Sequence, residues 1–311
     1  MVVEVETKSA EPSQAEAHVA VEVDDFPTQR SGPRRVYGST NAADARLADL
    51  PAGGGDPLGR LIGRTLAGRY KIDAVIGRRL RGTAYRATDR DAGGGGDRWR
   101  YVTVTVLDDR LAGDRAALER LRRSAETVRR LQHPALDAPT EILDEDGLVF
   151  LVSPYRPGRA LADLLGRTAG AGWPLRSVLP LGYRIAEALA PAHAAGLAHG
   201  ALDAASVLVT ADEGVVVLNL GLGPSLDGAD VDPAEDVLGL ARLVLALLAG
   251  DGGPHRGAVP KRPAGLRETA WAGLLAGLAS DRSLRPDSPE ALMVSLEDPG
   301  WLRRLVGRRL R

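Results

Sequence analysis

His193-Ala-Ala-Gly-Leu-Ala-His199-Gly-Ala-Leu-Asp203 is the stretch on which the reading of this 311-residue chain turns. Before it, Leu179 to Ala195 carries apolar residues at helical spacing, and Gly196 is the residue type that ends helices. After it, Ser206 to Thr210 and Val215 to Leu220 are short apolar runs across Asp212-Glu-Gly214, which predicts a hairpin. A loop carrying His199 and Asp203 is thus expected between a helix and a hairpin.

Outward from that loop the chain divides in two. Toward the C-terminus, Asp236 to Ala249 is almost wholly apolar and predicts a buried helix, followed by helices near Leu266 to Ala279 and Pro289 to Leu296. A short helix, Leu161 to Leu165, precedes the loop. Toward the N-terminus, Tyr70 to Ile76, Gly82 to Ala87 and Arg100 to Leu107 read as strands, with Gly93-Gly-Gly-Gly96 between the last two. A helix from Asp114 to Leu131 has Leu118, Leu121, Ala125 and Val128 on one face, and two strands follow near Ala138 to Leu143 and Leu148 to Ser153. Five strands and one helix make a small lobe, about 61–153, before a larger helical lobe, about 154–298. With no alternating βαβ pattern, this is an α+β, two-lobed fold.

Residues 1–60 lack sustained periodicity and predict a disordered tail, in which Thr28 beside Asp24 and Asp25 is a candidate phosphorylation site for a phospho-threonine-binding domain. Residues 299–311, with Trp301, Leu302, Leu305 and Val306 among five arginines, predict a basic amphipathic tail suited to a membrane surface. The formal net charge of -1 points to no nucleic-acid partner, and the absence of cysteine excludes disulfides, thiolate metal sites and cysteine nucleophiles. No apolar run is long enough to span a membrane, so a cytoplasmic protein is expected, with the C-terminal tail its contact to the inner membrane face. Lysine occurs only at positions 8, 71 and 261, so chemistry that needs a lysine must find it there.

The quoted stretch and its hairpin resemble the catalytic loop of bacterial Ser/Thr protein kinases of the actinobacterial type. Other segments fall in that family's order. Ile76-Gly77-Arg-Arg-Leu-Arg-Gly82-Thr-Ala-Tyr85 is similar to the glycine-rich loop, and Val102-Thr-Val-Thr105-Val-Leu107 to the third, lysine-bearing strand. Leu131-Gln-His133-Pro134 resembles the turn after the first helix and Val152-Ser-Pro-Tyr155 the hinge. Asn219-Leu220-Gly221 stands at the Asp-Phe-Gly position, Asp236 begins the buried helix, and Arg285 is the late arginine.

What the resemblance implies for catalysis is loss. The clamp lysine position is Thr105 and its glutamate partner Ser124; Glu126, two residues on, lies about 200° round the helix. The base position is Ala201, and Asp203 stands two residues later, where it reads as a loop-capping residue. The metal positions are Ser206 and Asn219, a hydroxyl and an amide where Mg²⁺ favours carboxylate. The middle glycine of the loop is Arg79, flanked by Arg78 and Arg81; these read as a solvated turn, an anion site, or a plug folded into the cleft. Between Asn219 and Asp236 lie only sixteen residues, too few for an activation loop and substrate platform.

The vestigial nucleotide pocket is expected from Gly77, Gly82, Ala84, Thr103, Ser153, Tyr155, Arg156 and Leu208. No cofactor is required on this reading, and ATP, where it binds, does so without metal. The expectation is therefore a pseudokinase, not an enzyme, acting as a scaffold among protein partners that include an active Ser/Thr kinase. The alternative is a divergent Ser/Thr protein kinase or a metal-independent ATP sensor.

Overall fold

A computed structural model describes residues 59–79, 82–91, 101–167, 171–210, 214–223, 228, 232–250 and 261–297. The N-terminal tail with Thr28, the tail 299–311, the glycine run 93–96, Arg81, the hairpin turn at 211–213 and most of 224–231 lie outside the described residues.

The small lobe is a six-stranded antiparallel sheet. Its strands are β1 (Thr65–Leu66), β2 (Tyr70–Arg79), β3 (Gly82–Asp89), β4 (Tyr101–Leu107), β5 (Glu141–Glu145) and β6 (Leu148–Pro154), in the order β1-β2-β3-β4-β6-β5. The two-residue β1 is the strand beyond the five expected; it is too short to carry a period. Strand alternation sends Ile72, Tyr85, Val104, Val106 and Phe150 into one apolar cluster. Gly82 is required where β3 meets β4, because a Cβ there would lie 2.1 Å from the Val106 carbonyl oxygen. A single-turn helix α1 (Asp109–Ala112) leads to α2 (Arg115–Leu131), whose first turn is capped by Asp114 accepting from the Ala117 N–H at 2.9 Å. Leu118, Leu121 and Ala125 of α2 pack on Leu107, Val149 and Leu151 of the sheet.

Strand β5 begins at Glu141, not at Ala138. Pro139 cannot donate to a ladder, and the residues before it pair with the other lobe instead: Leu136 bridges Val217, and Asp137 donates its N–H to the Val217 carbonyl at 3.0 Å.

The large lobe holds a three-stranded sheet, β7 (Gly158–Ala160), β8 (Val207–Thr210) and β9 (Val215–Val217), in that order. Its helices are α3 (Leu161–Arg167), α4 (Leu175–Ala194), α5 (Pro233–Ala249), α6 (Glu268–Gly277) and α7 (Pro289–Glu297). Helix α4 starts four residues before the expected Leu179 and carries Pro180 inside it. The buried Trp173, whose N–H bonds the Leu247 carbonyl at 2.7 Å, fixes that earlier start. Helix α5 is buried along most of its length; it has Pro233 at its first position, an Asp232 cap and a left-handed Gly250 at its end. It runs through the core formed with α4 and the hairpin. No helix among the described residues is long and apolar enough to cross a membrane.

Candidate functional site

The loop between α4 and β8 is built around one carboxylate. Asp236, at the start of α5 and fully buried, accepts from the His193 Nε2 at 2.8 Å, the His199 backbone N–H at 2.7 Å and the Gly200 N–H at 2.7 Å. His199 is itself buried; its Nε2 meets the Leu218 carbonyl at 2.9 Å, while its Nδ1 faces the Ala201 N–H at 3.3 Å. Those partners specify the neutral tautomer with Nε2–H donating, and burial lowers the imidazole's proton affinity against the opposing pull of Asp236.

Ala201 is exposed and bears no proton acceptor. Asp203 closes the turn: its carboxylate accepts from the N–H groups of Ala205 at 3.0 Å and Ser206 at 2.8 Å. The Ser206 hydroxyl donates to the Asp203 carbonyl at 2.8 Å and accepts the Asp203 N–H at 2.9 Å. Asn219 adopts a left-handed backbone with φ 59°, a region asparagine enters more readily than most residues. A hydroxyl used locally and a neutral amide do not fit Mg²⁺, which is bound through carboxylates. Among the described residues, no group of three or more His, Asp or Glu could hold a metal ion.

Thr105 is buried on β4, opposite Ala84 of β3. Ser124 is half-buried on α2, whereas Glu126 points to solvent and pairs with Arg130 at 2.6 Å. Arg285 is buried and tied to Glu235 at 3.1 Å, with its other donors on the carbonyls of Ala279 and Ala234.

The cleft between the lobes is bounded by Ile76, Thr103, Leu208 and Leu218 and, on the hinge side, by Pro154, Tyr155 and Arg156. Thr103 and Ser153 pair across β4 and β6, and the Tyr155 N–H is bonded to the Tyr101 carbonyl at 3.3 Å. Gly77 and Gly82 keep the β2–β3 hairpin above the cleft, Gly77 with φ 149°. Arg78 and Arg79 diverge. Arg78 makes two hydrogen bonds outward to Asp108, at 3.1 and 3.0 Å, while Arg79 turns inward and lines the cleft with Asp137.

Asp137 is the acidic cleft residue that motif matching missed, and Asp163, exposed in the first turn of α3, is a second carboxylate whose charge reaches Arg79. Their only signal in the sequence is an acid three residues after His133-Pro134 and another in the first turn of α3. Burial pushes the Asp137 carboxyl up to about 6, against the pull of Arg79, Arg156 and a hydrogen bond with Ser153. Arg79 is weakened as a base by burial, with Asp137, Asp163 and Tyr155 opposing that effect.

No protein-family model matches the chain. Its relatives are bacterial Ser/Thr protein kinases. It is 29% identical over 188 residues to PknA of Mycobacterium tuberculosis, a match covering 59% of this chain and 42% of that one. It is 30% identical over 183 residues to pkn3 of Myxococcus xanthus, covering 56% and 31%. Against PrkC of Bacillus subtilis it is 26% identical over 179 residues, covering 58% and 26%. The chain thus spans less than half the length of the curated relatives it matches. Among solved structures, the Mycobacterium tuberculosis PknI kinase domain superposes with a TM-score of 0.62 at 26% identity, covering 76% of this chain and 98% of that one.

These likenesses correct the expectation of a pseudokinase that is no enzyme. Relatives at 26–30% identity are named Ser/Thr protein kinases, and the fold is that of a kinase domain, which points to a kinase enzyme. The expectation was drawn from residue types at motif positions alone. Arg79, at the middle-glycine position, and Asp137, outside the motif positions, supply charge to the cleft that a count of lost residues does not register.

Proposed function

We propose, from the premise that this is a protein-kinase fold with bacterial Ser/Thr protein kinases as relatives, that the chain is a divergent Ser/Thr protein kinase taking a purine nucleotide in its interlobe cleft. The observation that carries the reading is the cleft itself, a slot with apolar walls at Ile76, Leu208 and Leu218 and polar groups at Thr103 and Asp137, closed on one side by the hinge residues Pro154 to Arg156. Concave apolar sites with a few convergent polar groups are where small ligands bind.

The loop scaffold supports the same reading. Asp236 holds the backbone at His199 and Gly200 through two short hydrogen bonds and the end of α4 through a third to His193, so a position for an acceptor hydroxyl is pre-set beside the cleft. Phosphoryl transfer depends mainly on positioning and on charge facing the phosphates. Because Thr105, Ser206 and Asn219 supply neither the lysine nor the carboxylate of the family's pattern, the nucleotide is proposed to bind without a divalent ion.

The test is thermal unfolding of the whole chain with ATP, with and without Mg²⁺ or Mn²⁺, beside transfer of labelled phosphate to a generic Ser/Thr protein substrate. Ligand at a hundredfold excess over its Kd should stabilise the fold by about 2.7 kcal/mol, and the shift should not depend on the metal. No shift with any purine nucleotide, together with no transfer, overturns the proposal.

A further inference from the structure

We propose that Arg79 is an internal occupant of the base subsite: its guanidinium, turned into the cleft that Asp137 also lines, fills the space until a nucleotide displaces it.

Strand alternation is the local cause. Successive side chains on β2 leave by opposite faces, so with Arg78 committed outward to Asp108 its neighbour Arg79 enters the cleft. A guanidinium under an apolar roof is costly unless it is paired. The acids that answer it come from two places. Asp137 is fixed at the back of the cleft by its N–H bond to Val217 of β9, and Asp163 stands in the first turn of α3. Arg79 therefore carries charge from the glycine-rich hairpin of the small lobe into the cleft that Asp137 lines. With it in place the cleft retains about 50 Å³, far below the roughly 300–1,000 Å³ of a ligand pocket.

A second observation marks the space Arg79 fills as a ligand subsite. The Nε of Arg156 is buried on the same wall with no hydrogen-bond partner. Native folds leave few such donors, each of which asks for a partner. Once Arg79 leaves, Arg156 and the Asp137 carboxylate remain as a donor and an acceptor, the pattern that complements the edge of a purine.

The absence of cysteine supplies the test. Thr103→Cys places a single thiol on the cleft wall, and its rate of reaction with a small neutral alkylating reagent reports access. Adding Arg79→Ala should raise that rate about tenfold or more, whereas adding Arg78→Ala should leave it unchanged. Arg79→Gln serves if Arg79→Ala does not fold, with circular dichroism as the check. An unchanged rate in the Arg79 variants, or an equal rise with Arg78→Ala, overturns the proposal.

The second measurement, affinity for a fluorescent ATP analogue, rests on the nucleotide reading given above. Arg79→Ala should bind the analogue about tenfold tighter than the unmodified chain. Weaker binding overturns the proposal, since Arg79 would then be holding the nucleotide. Faster labelling with no nucleotide binding by either protein supports the occupant and sinks the nucleotide reading alone, so the two failures are distinguishable.

Discussion

Asp137 carries a pH signature of its own. Its carboxyl titrates near 6 in the fold against about 3.9 in an unfolded chain. The folded state therefore binds the extra proton between those values. The stability this group contributes is present below about pH 4 and is lost as pH rises through 6. Urea unfolding from pH 4.5 to 7.5 should show a component worth about 2 kcal/mol that Asp137→Asn abolishes. Parallel profiles for the two proteins would contradict it. His199 works in the opposite sense: burial depresses its proton affinity, so its share of stability is present above the ordinary histidine range and falls away as pH drops. Fitting only the difference between the two proteins removes that background. The motif residues Thr105, Ala201, Ser206 and Asn219 were legible because each is a substitution at a numbered place in a pattern. Asp137 was not, because its role comes from a register between lobes, Leu136 beside Val217, that no local pattern encodes.

Helix α5 shows how a sequence element becomes a support for the site. Its apolar run announced burial, and Pro233, Asp232 and Gly250 mark its ends. What the run did not announce is the contact at Gly239, where an added Cβ would meet the Leu202 Cβ and carbonyl oxygen, each at 2.8 Å. Leu202 belongs to the loop held by Asp236, and its backbone cannot shift without disturbing those bonds. Gly239→Ala should cost about 2–3 kcal/mol despite the better helix propensity of alanine. Gly182 in α4 is the comparison: its added Cβ would meet only the thioether end of Met293, which is flexible. Gly182→Ala should stay within about 1 kcal/mol of the unmodified chain, because alanine is favoured over glycine in a helix by a similar amount. Chemical denaturation of both variants decides it, and equal costs would show that the loop backbone yields. The start of α4 was misplaced for a related reason: Pro180 reads as a first-turn residue, and only the packing of Trp173 against α5 shows the helix beginning earlier.

Across the whole molecule the two lobes have largely separate cores, and the boundary is crossed at a few places. The two-lobed order was legible because strand-period and helix-period segments occupy separate halves of the chain, while the crossings depend on contacts far apart in sequence. Leu222, three residues after Asn219, is the clearest. It is buried not in the large-lobe core but in the small-lobe cluster, with Leu118, Leu121 and Ala125 of α2 and Leu107 of β4. Leu220, two residues earlier, packs the other way, into the core of α4 and α5. Alternate residues of one short segment thus pin α2 to the large lobe. Removing a buried leucine side chain costs about 2–5 kcal/mol through lost transfer energy and the cavity left behind. At Leu220 that loss falls on the large lobe itself and should lower a single unfolding transition. At Leu222 it falls on the contact between lobes. Leu222→Ala should therefore separate calorimetric unfolding into two steps, the small lobe melting first, with the ratio of calorimetric to van't Hoff enthalpy rising above one. If Leu222→Ala merely shifts one cooperative transition, as Leu220→Ala should, the lobes are coupled by more than this segment and the pinning role is wrong.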